Sequence, residues 1–338
     1  MKVHITNLYG MAPSSTAQIA QNMVADFAEN DLNYQNIGIY FYDDSGEKPG
    51  ELSARLDGIL AALSARDVFI LQTPTWNSVE WETALMNKVS AYGAKKIIFV
   101  HDVIPLMFAA NRYLMKKWIA VYNRADVIIL PTKRMAKVLS KEGLTVKNIV
   151  IQHLWDHSAN IDWRQSVKYQ PLVNFAGDPA KFGFLDQWTT NQVKLQVFAK
   201  QPKKTIPNSK INYVGWHSDP ELLAMLRKDG GFGLVWGAND DNLVEYMKMD
   251  CSYKLSTYLA AGIPIIIQGW GPVADLVRRK HLGLIADSID SVVQQVVAMD
   301  EEQYQSMVQA VDSFGQLVRN GYFSKRALTE AVFKAFYD

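Results

Sequence analysis

The chain has 338 residues, 49% of them hydrophobic and 20% charged, which suits two α/β domains of ordinary size with ample core. A formal net charge of +1 gives no electrostatic case for nucleic acid or an acidic membrane, and a single cysteine, Cys251, excludes an internal disulfide framework and any multi-cysteine metal site. No apolar run approaches the ~20 residues of a membrane span, and the opening MKVHITNLYG reads as a strand and turn rather than a signal peptide, so a soluble cytoplasmic protein is expected.

In chain order, β-rich apolar runs predict strands at 2–7, 36–42, 67–73, 96–101, 126–130 and 148–151. Helical patterns near 16–29, 51–63, 78–92, 111–123 and 132–142 separate them. The polar, Trp-bearing stretch 153–169 loses this rhythm and reads as a linker. Strands then resume at 172–176, 193–199, 211–214, 233–236, 263–267 and 282–285, with helices near 220–228, 254–261, 272–279, 288–298 and 301–318. A last helix, 324–337, follows the break Asn320-Gly321. Strands alternating with helices predict two doubly wound parallel sheets, Rossmann-like domains over 1–155 and 156–319. Such sheets bind ligands beyond the carboxyl ends of their strands, so an interdomain cleft is the expected site.

Residues 251–271, CSYKLSTYLAAGIPIIIQGWG, carry the strongest local signal. Lys254 stands in the first turn of a short helix, where a cation opposes the helix dipole. The placement becomes favourable when an anion such as a diphosphate docks on the helix start; the plainer reading is a lysine snorkelling from an amphipathic helix. One turn on, Ser256 and Thr257 either donate hydroxyls to phosphate or ribose, or satisfy the helix itself. Tyr213, at a strand end before Gly215, either borders a base and ribose or is a half-buried strand residue. Gly10 to Thr16 is a loop entering a helix, with Thr16 the hydroxyl placed nearest a ligand; it is no P-loop, lacking GxxxxGK[ST]. His101-Asp102 ends a strand and offers a general base or a hydroxyl-binding carboxylate, against the alternative of Asp102 as a helix cap. At another strand end, beside Asn77, an exposed Trp76 suits the apolar face of a sugar ring, unless it is core. No G-x-G-x-x-G follows the first strand, which excludes a dehydrogenase of that type.

Six blocks in order extend these signals over nearly the whole chain: NLYGMAPSSTAQIAQ, LQTPTWNSVEWE, FVHDVIPLMF, VNFAGDPAKFGFL, INYVGWHSDPELL and KLSTYLAAGIPII. In them the chain resembles the glucosyltransferase-3, or nucleotide-sugar-synthetase-like, family of serine-rich-repeat adhesin glycosylation. The resemblance implies a GT-B fold whose last helix, about 320–338, packs back on the first domain. It implies transfer of glucose or N-acetylglucosamine (GlcNAc) from a UDP-sugar to GlcNAc-modified Ser or Thr, the second glycosylation step. It also implies a homo-oligomer, a tetramer being suspected, and neither metal nor other cofactor. Carried onto this chain, it makes Thr16, Gly177, Lys181, Tyr213, Lys254, Ser256 and Thr257 the donor-binding residues, with Lys181 where the family more often has Arg. His101 and Asp102 become the catalytic pair, and Trp76 and Asn77 the acceptor contacts. The Glu-x7-Glu pair of many retaining GT-B enzymes is absent, Met249 and Thr257 standing there. Two other readings share these features: a sugar-nucleotide epimerase of the same fold, and a non-catalytic nucleotide-sugar-binding partner of another transferase.

Overall fold

The structure, a computed structural model, describes residues 1–202 and 210–337. They form two compact units, Met1–Leu154 with the segment that starts at Gly321, and Trp155–Asn320. The first unit runs β1 (Val3–Tyr9), α1 (Thr16–Leu32), β2 (Gln35–Tyr40), α2 (Pro49–Ile59), β3 (Val68–Thr73), α3 (Val79–Ala91) and β4 (Lys95–Val100). It continues with α4 (Ile104–Met107), a 3-10 turn (Ala109–Leu114), α5 (Met115–Tyr122), β5 (Val127–Leu130), α6 (Lys133–Lys141) and β6 (Asn148–Ile151).

The second unit contains β7 (Leu172–Phe175), a 3-10 turn (Pro179–Lys181), α7 (Phe184–Gln187), β8 (Lys194–Val197), β9 (Ile211–Tyr213), α8 (Asp219–Asp229) and β10 (Phe232–Val235). Then come α9 (Asp241–Met247), α10 (Tyr253–Ala261), β11 (Ile265–Ile267), α11 (Ala274–Lys280), β12 (Gly283–Ile285), α12 (Ile289–Val297) and α13 (Glu301–Arg319). The last helix, α14 (Tyr322–Tyr337), packs on α1, β4, β5 and β6 of the first unit.

Each unit is built on a six-stranded sheet, every recorded pairing parallel, in the orders β2-β1-β3-β4-β5-β6 and β12-β11-β10-β7-β8-β9. Helices cover both faces of such a sheet, so its inner strands are apolar throughout rather than alternating. β3, β5 and β11 show this, buried at every position. The helices start where short polar side chains satisfy free N–H groups: Ser78 accepts from Trp81, Thr132 from Met135, Ser288 from Ser291.

All twelve expected strands are present, with ends displaced by a few residues. Two helical readings are corrected. The helix expected over 111–123 is a 3-10 turn followed by α5, and α9 forms where no helix was expected, with Asp240 its N-cap. Nor are residues 153–169 a free linker: Trp155, Asp156, His157 and Val167 are buried.

Helix α10 is the most deeply set helix of the second unit, buried from Leu255 to Ala261. The Tyr258 ring occupies the space over Gly233 of β10, where an added Cβ would stand 2.2 Å from the ring. Gly233→Ala should therefore lower stability by about 1–3 kcal/mol through overpacking, read as a lower urea midpoint; an unchanged midpoint would contradict this packing.

Candidate active site

In each sheet the strand order reverses at one point, and ligands of open α/β sheets sit there, past the carboxyl ends of the strands. In the second unit that point is between β7 and β10. The hydroxyl of Tyr258 ties the two strands together. It accepts from the Ala176 N–H at 2.9 Å and donates to the Leu234 carbonyl at 3.3 Å. The loop after β7 leads through Gly177 to the turn ending at Lys181, and α10 presents Lys254 beside it.

The Lys254 stem crosses Gly177, where a Cβ would come within 2.9 Å of Lys254 Cε. Any larger residue at 177 would displace that stem. The ammonium sits 5.4 Å from the centroid of the Phe182 ring, a cation–π contact. Phe175, Phe182, Phe184 and Trp236 pack edge-to-face beneath it. Among the described residues neither Lys254 nor Lys181 makes an ion pair. Burial first, and then the nearby Lys181, push the Lys254 ammonium down to about 8. Ser252, the N-cap of α10, makes no side-chain cap bond, and the first turn holds no acid. Unpaired cations and an uncapped helix start thus converge on one place, an arrangement that stabilises an anion.

Lys181 itself is exposed, and its loop is fixed from β10. The Asn239 N–H donates to the Lys181 carbonyl at 3.1 Å, and the Asn239 side-chain oxygen accepts from the Gly183 N–H. The Gly237 N–H is held by Gln268 Oε1 at 2.7 Å. Phe182, Asn239 and Tyr258 escaped the sequence reading because nothing local marks an aromatic or an amide as the support of a distant lysine. Tyr213 is half-buried at the end of β9, its hydroxyl without a partner among the described residues and its pKa raised by burial and then Asp186.

Two donor assignments are corrected. Ser256 is fully buried and its hydroxyl donates to the Trp155 carbonyl at 2.6 Å, so it anchors the helix rather than facing a phosphate. Thr257 is also buried, bonding back to the Tyr253 carbonyl at 3.3 Å.

In the first unit the order reverses between β1 and β3. The Gly10–Thr16 loop follows β1, and Thr16 is exposed at the first position of α1, capped by Ser15. Trp76 and Asn77 follow β3. Trp76 is half-buried with φ +64°. Asn77 is buried, accepting from the Tyr42 N–H at 3.2 Å and donating to the Tyr40 carbonyl at 3.4 Å, so it ties loops together rather than meeting an acceptor. Glu82 supports the same loop, accepting from Thr73 Oγ1 at 2.7 Å and the Thr75 N–H at 2.6 Å. Burial pushes its carboxyl up to about 7.

The His101 ring is held in one tautomer. The Gln72 side-chain amide donates to the Thr6 and Gln21 carbonyls, which turns its oxygen toward His101 Nε2 at 2.8 Å. Nε2 therefore carries the ring proton, and Nδ1 is the nitrogen left with a lone pair. The ring stacks on Phe99, and burial pushes its pKa down to about 3. Asp102, half-buried at the strand end, is the remaining carboxylate of the pair.

The Lys254 geometry carries a stability signature. Its folded pKa of about 8 lies below the ordinary 10.5. Between those values the unfolded chain binds a proton that the folded chain has released, so stability rises with pH across that window and the cost is complete below it. Without an anion, Lys254→Met should be more stable than the parent by about 1–3 kcal/mol at pH 7, the gap closing from pH 8 to 10.5. Urea unfolding at both pH values checks it; equal stability at pH 7 would mean a hydrated lysine.

Comparison with known proteins agrees with this architecture. Family models for the N-terminal and C-terminal domains of glucosyltransferase 3-like proteins match residues 2–154 and 173–331. The chain is 43% identical to glucosyltransferase 3 of Streptococcus gordonii over 98% of each chain. It is 42% identical to glucosyltransferase 3 of Streptococcus parasanguinis over 100% of each. The fold is similar to that of HepE from Anabaena, whose crystal structure holds UDP and glucose, with a TM-score of 0.67 and 10% identity over 98% of this chain and 99% of that one. The two parallel sheets and their helices are the GT-B fold, and the chain belongs to the glucosyltransferase 3-like family.

Proposed function

We propose that the protein transfers glucose or GlcNAc from a UDP-sugar to GlcNAc already carried on Ser or Thr of a serine-rich-repeat adhesin, in the cytoplasm. Family membership makes it a UDP-sugar-dependent glycosyltransferase. The observation that carries the donor half of the reading is the unpaired Lys254 ammonium beside Lys181 at an uncapped helix start. Breaking the sugar–diphosphate bond leaves negative charge on UDP, and preorganised cations and N–H dipoles stabilise that charge without reorganising. In this reading the two lysines do so in place of a metal ion. Tyr213 borders the uridine, and Thr16 is the hydroxyl that the first unit offers at the start of α1. Asp102 takes the proton of the acceptor hydroxyl as it attacks the anomeric carbon, and Trp76 lies along the acceptor sugar.

Assembly into a homo-oligomer belongs to the same proposal. Phe333, Phe336 and Tyr337 of α14 are exposed large hydrophobics, and contiguous apolar surface of that kind marks contact sites. Light scattering should give a multiple of the chain mass, and Phe333→Glu should reduce it; a monomer at micromolar concentration would refute the assembly.

The deciding experiment offers UDP-glucose and UDP-GlcNAc, separately and together, to a GlcNAc-Ser peptide and an unmodified peptide, with products weighed by mass spectrometry. A hexose or N-acetylhexosamine should appear on the glycopeptide alone, with or without EDTA; no addition from either donor overturns the reading. Lys254→Ala should cut transfer by about 10²-fold or more and weaken UDP binding. Asp102→Asn should lower kcat by about 10²-fold or more and leave UDP affinity unchanged; equal losses in both would make Asp102 structural.

A further inference from the structure

The chain enters its second unit through Trp155, Asp156 and His157, all buried. This short segment grips α10 on either side of its first turn. Trp155 Nε1 donates to the Cys251 carbonyl at 2.8 Å, and the Trp155 carbonyl accepts from Ser256 Oγ at 2.6 Å. His157 reaches further. Its N–H donates to the Val318 carbonyl at 3.1 Å, and its Nε2 lies 3.0 Å from Asp219 Oδ1. Its ring centroid is 5.1 Å from that of Tyr253, the planes at 60°.

Asp219 opens α8 and Tyr253 opens α10. The imidazole therefore stands between the amino ends of two helices. Just upstream of the first runs the loop from Tyr213; the residue after Tyr253 is Lys254. Burial pushes the imidazole down to about 3 and the Asp219 carboxyl up to about 6, so at neutral pH a neutral ring donates from Nε2 to a carboxylate. Hydrogen bonds to an ionised group are among the stronger ones. Helix α8 does not need this bond for its own start, because Ser218 and Glu221 already form a capping box. The pair acts between elements.

We propose that His157 is a positioning residue for the donor: through Asp219 and Tyr253 it sets the β9–α8 loop and the first turn of α10 relative to one another, so that Tyr213 and Lys254 meet one nucleoside diphosphate. This rests on the donor-site reading above. The test compares His157→Leu, His157→Gln, whose amide can still donate to Asp219, and Lys254→Ala. Tyr169→Phe, which removes a hydrogen bond to the Val296 carbonyl in the same unit, serves as a reference for lost stability. Calorimetric UDP affinity is measured with kcat and the KM of donor and acceptor.

His157→Leu should weaken UDP and raise the donor KM roughly tenfold, with the acceptor KM within about twofold. His157→Gln should recover most of the loss, and Tyr169→Phe should bind UDP normally even with a lower Tm. Should His157→Leu fail to fold, Asp219→Ala carries the same expectation, since that side chain is 26% exposed. Unchanged UDP affinity in the folded variant, or failure of His157→Gln to restore it, overturns the positioning role. If Lys254→Ala binds UDP normally, the donor site itself is misassigned. If only Lys254→Ala loses UDP, the donor site stands and His157 plays no part in it.

Discussion

A partly buried cation with no counterion among the described residues governs the second unit. Lys254 is held by the burial of its helix, by the missing Cβ of Gly177 and by the face of Phe182, with none of these neutralising it. A folded chain keeps such a group only where the surroundings hold it in place. The surroundings here are the hydroxyl of Tyr258 across β7 and β10, the double grip of Asn239 on the Lys181 loop, and the bonds of Trp155 to either side of the α10 start. The charge is thus fixed in place by the fold itself, without the reorganisation that water would need.

The two units solve the same problem with different chemistry. Each reverses its strand order once and opens loops at that point. The second collects positive charge there. The first collects hydroxyls, aromatics and carboxylates: Thr16, Trp76, Asp102 and the buried Glu82 behind the β3 loop. In the proposed reading, anion stabilisation belongs to the second unit and hydroxyl recognition to the first.

The strands were legible because each is a short apolar run bounded by polar or glycine-bearing turns, and parallel pairing buries such runs on both faces. Lys254 stands out in the sequence because a cation in a first helical turn contradicts the local electrostatics. What escaped depends on partners far along the chain. Residues 155–157 have no periodicity, yet their burial comes from Cys251 and Ser256, separated from Trp155 by 96 and 101 positions. His101 looked available because it ends a strand; that its Nε2 faces an amide oxygen follows from how Gln72 is held by Thr6 and Gln21. Helix α9 escaped because its seven residues, Asp241–Met247, are too few for a helical period to show.

The return of α14 has a consequence for biogenesis. The sheet of the first unit is covered by Ala327, Leu328 and Ala331, which follow the whole of the second unit in sequence. During synthesis the second unit, contiguous from Trp155 to Asn320, has all its parts before the first does. The part of the chain made first is therefore completed last, waiting with α1, β4, β5 and β6 uncovered until α14 leaves the ribosome.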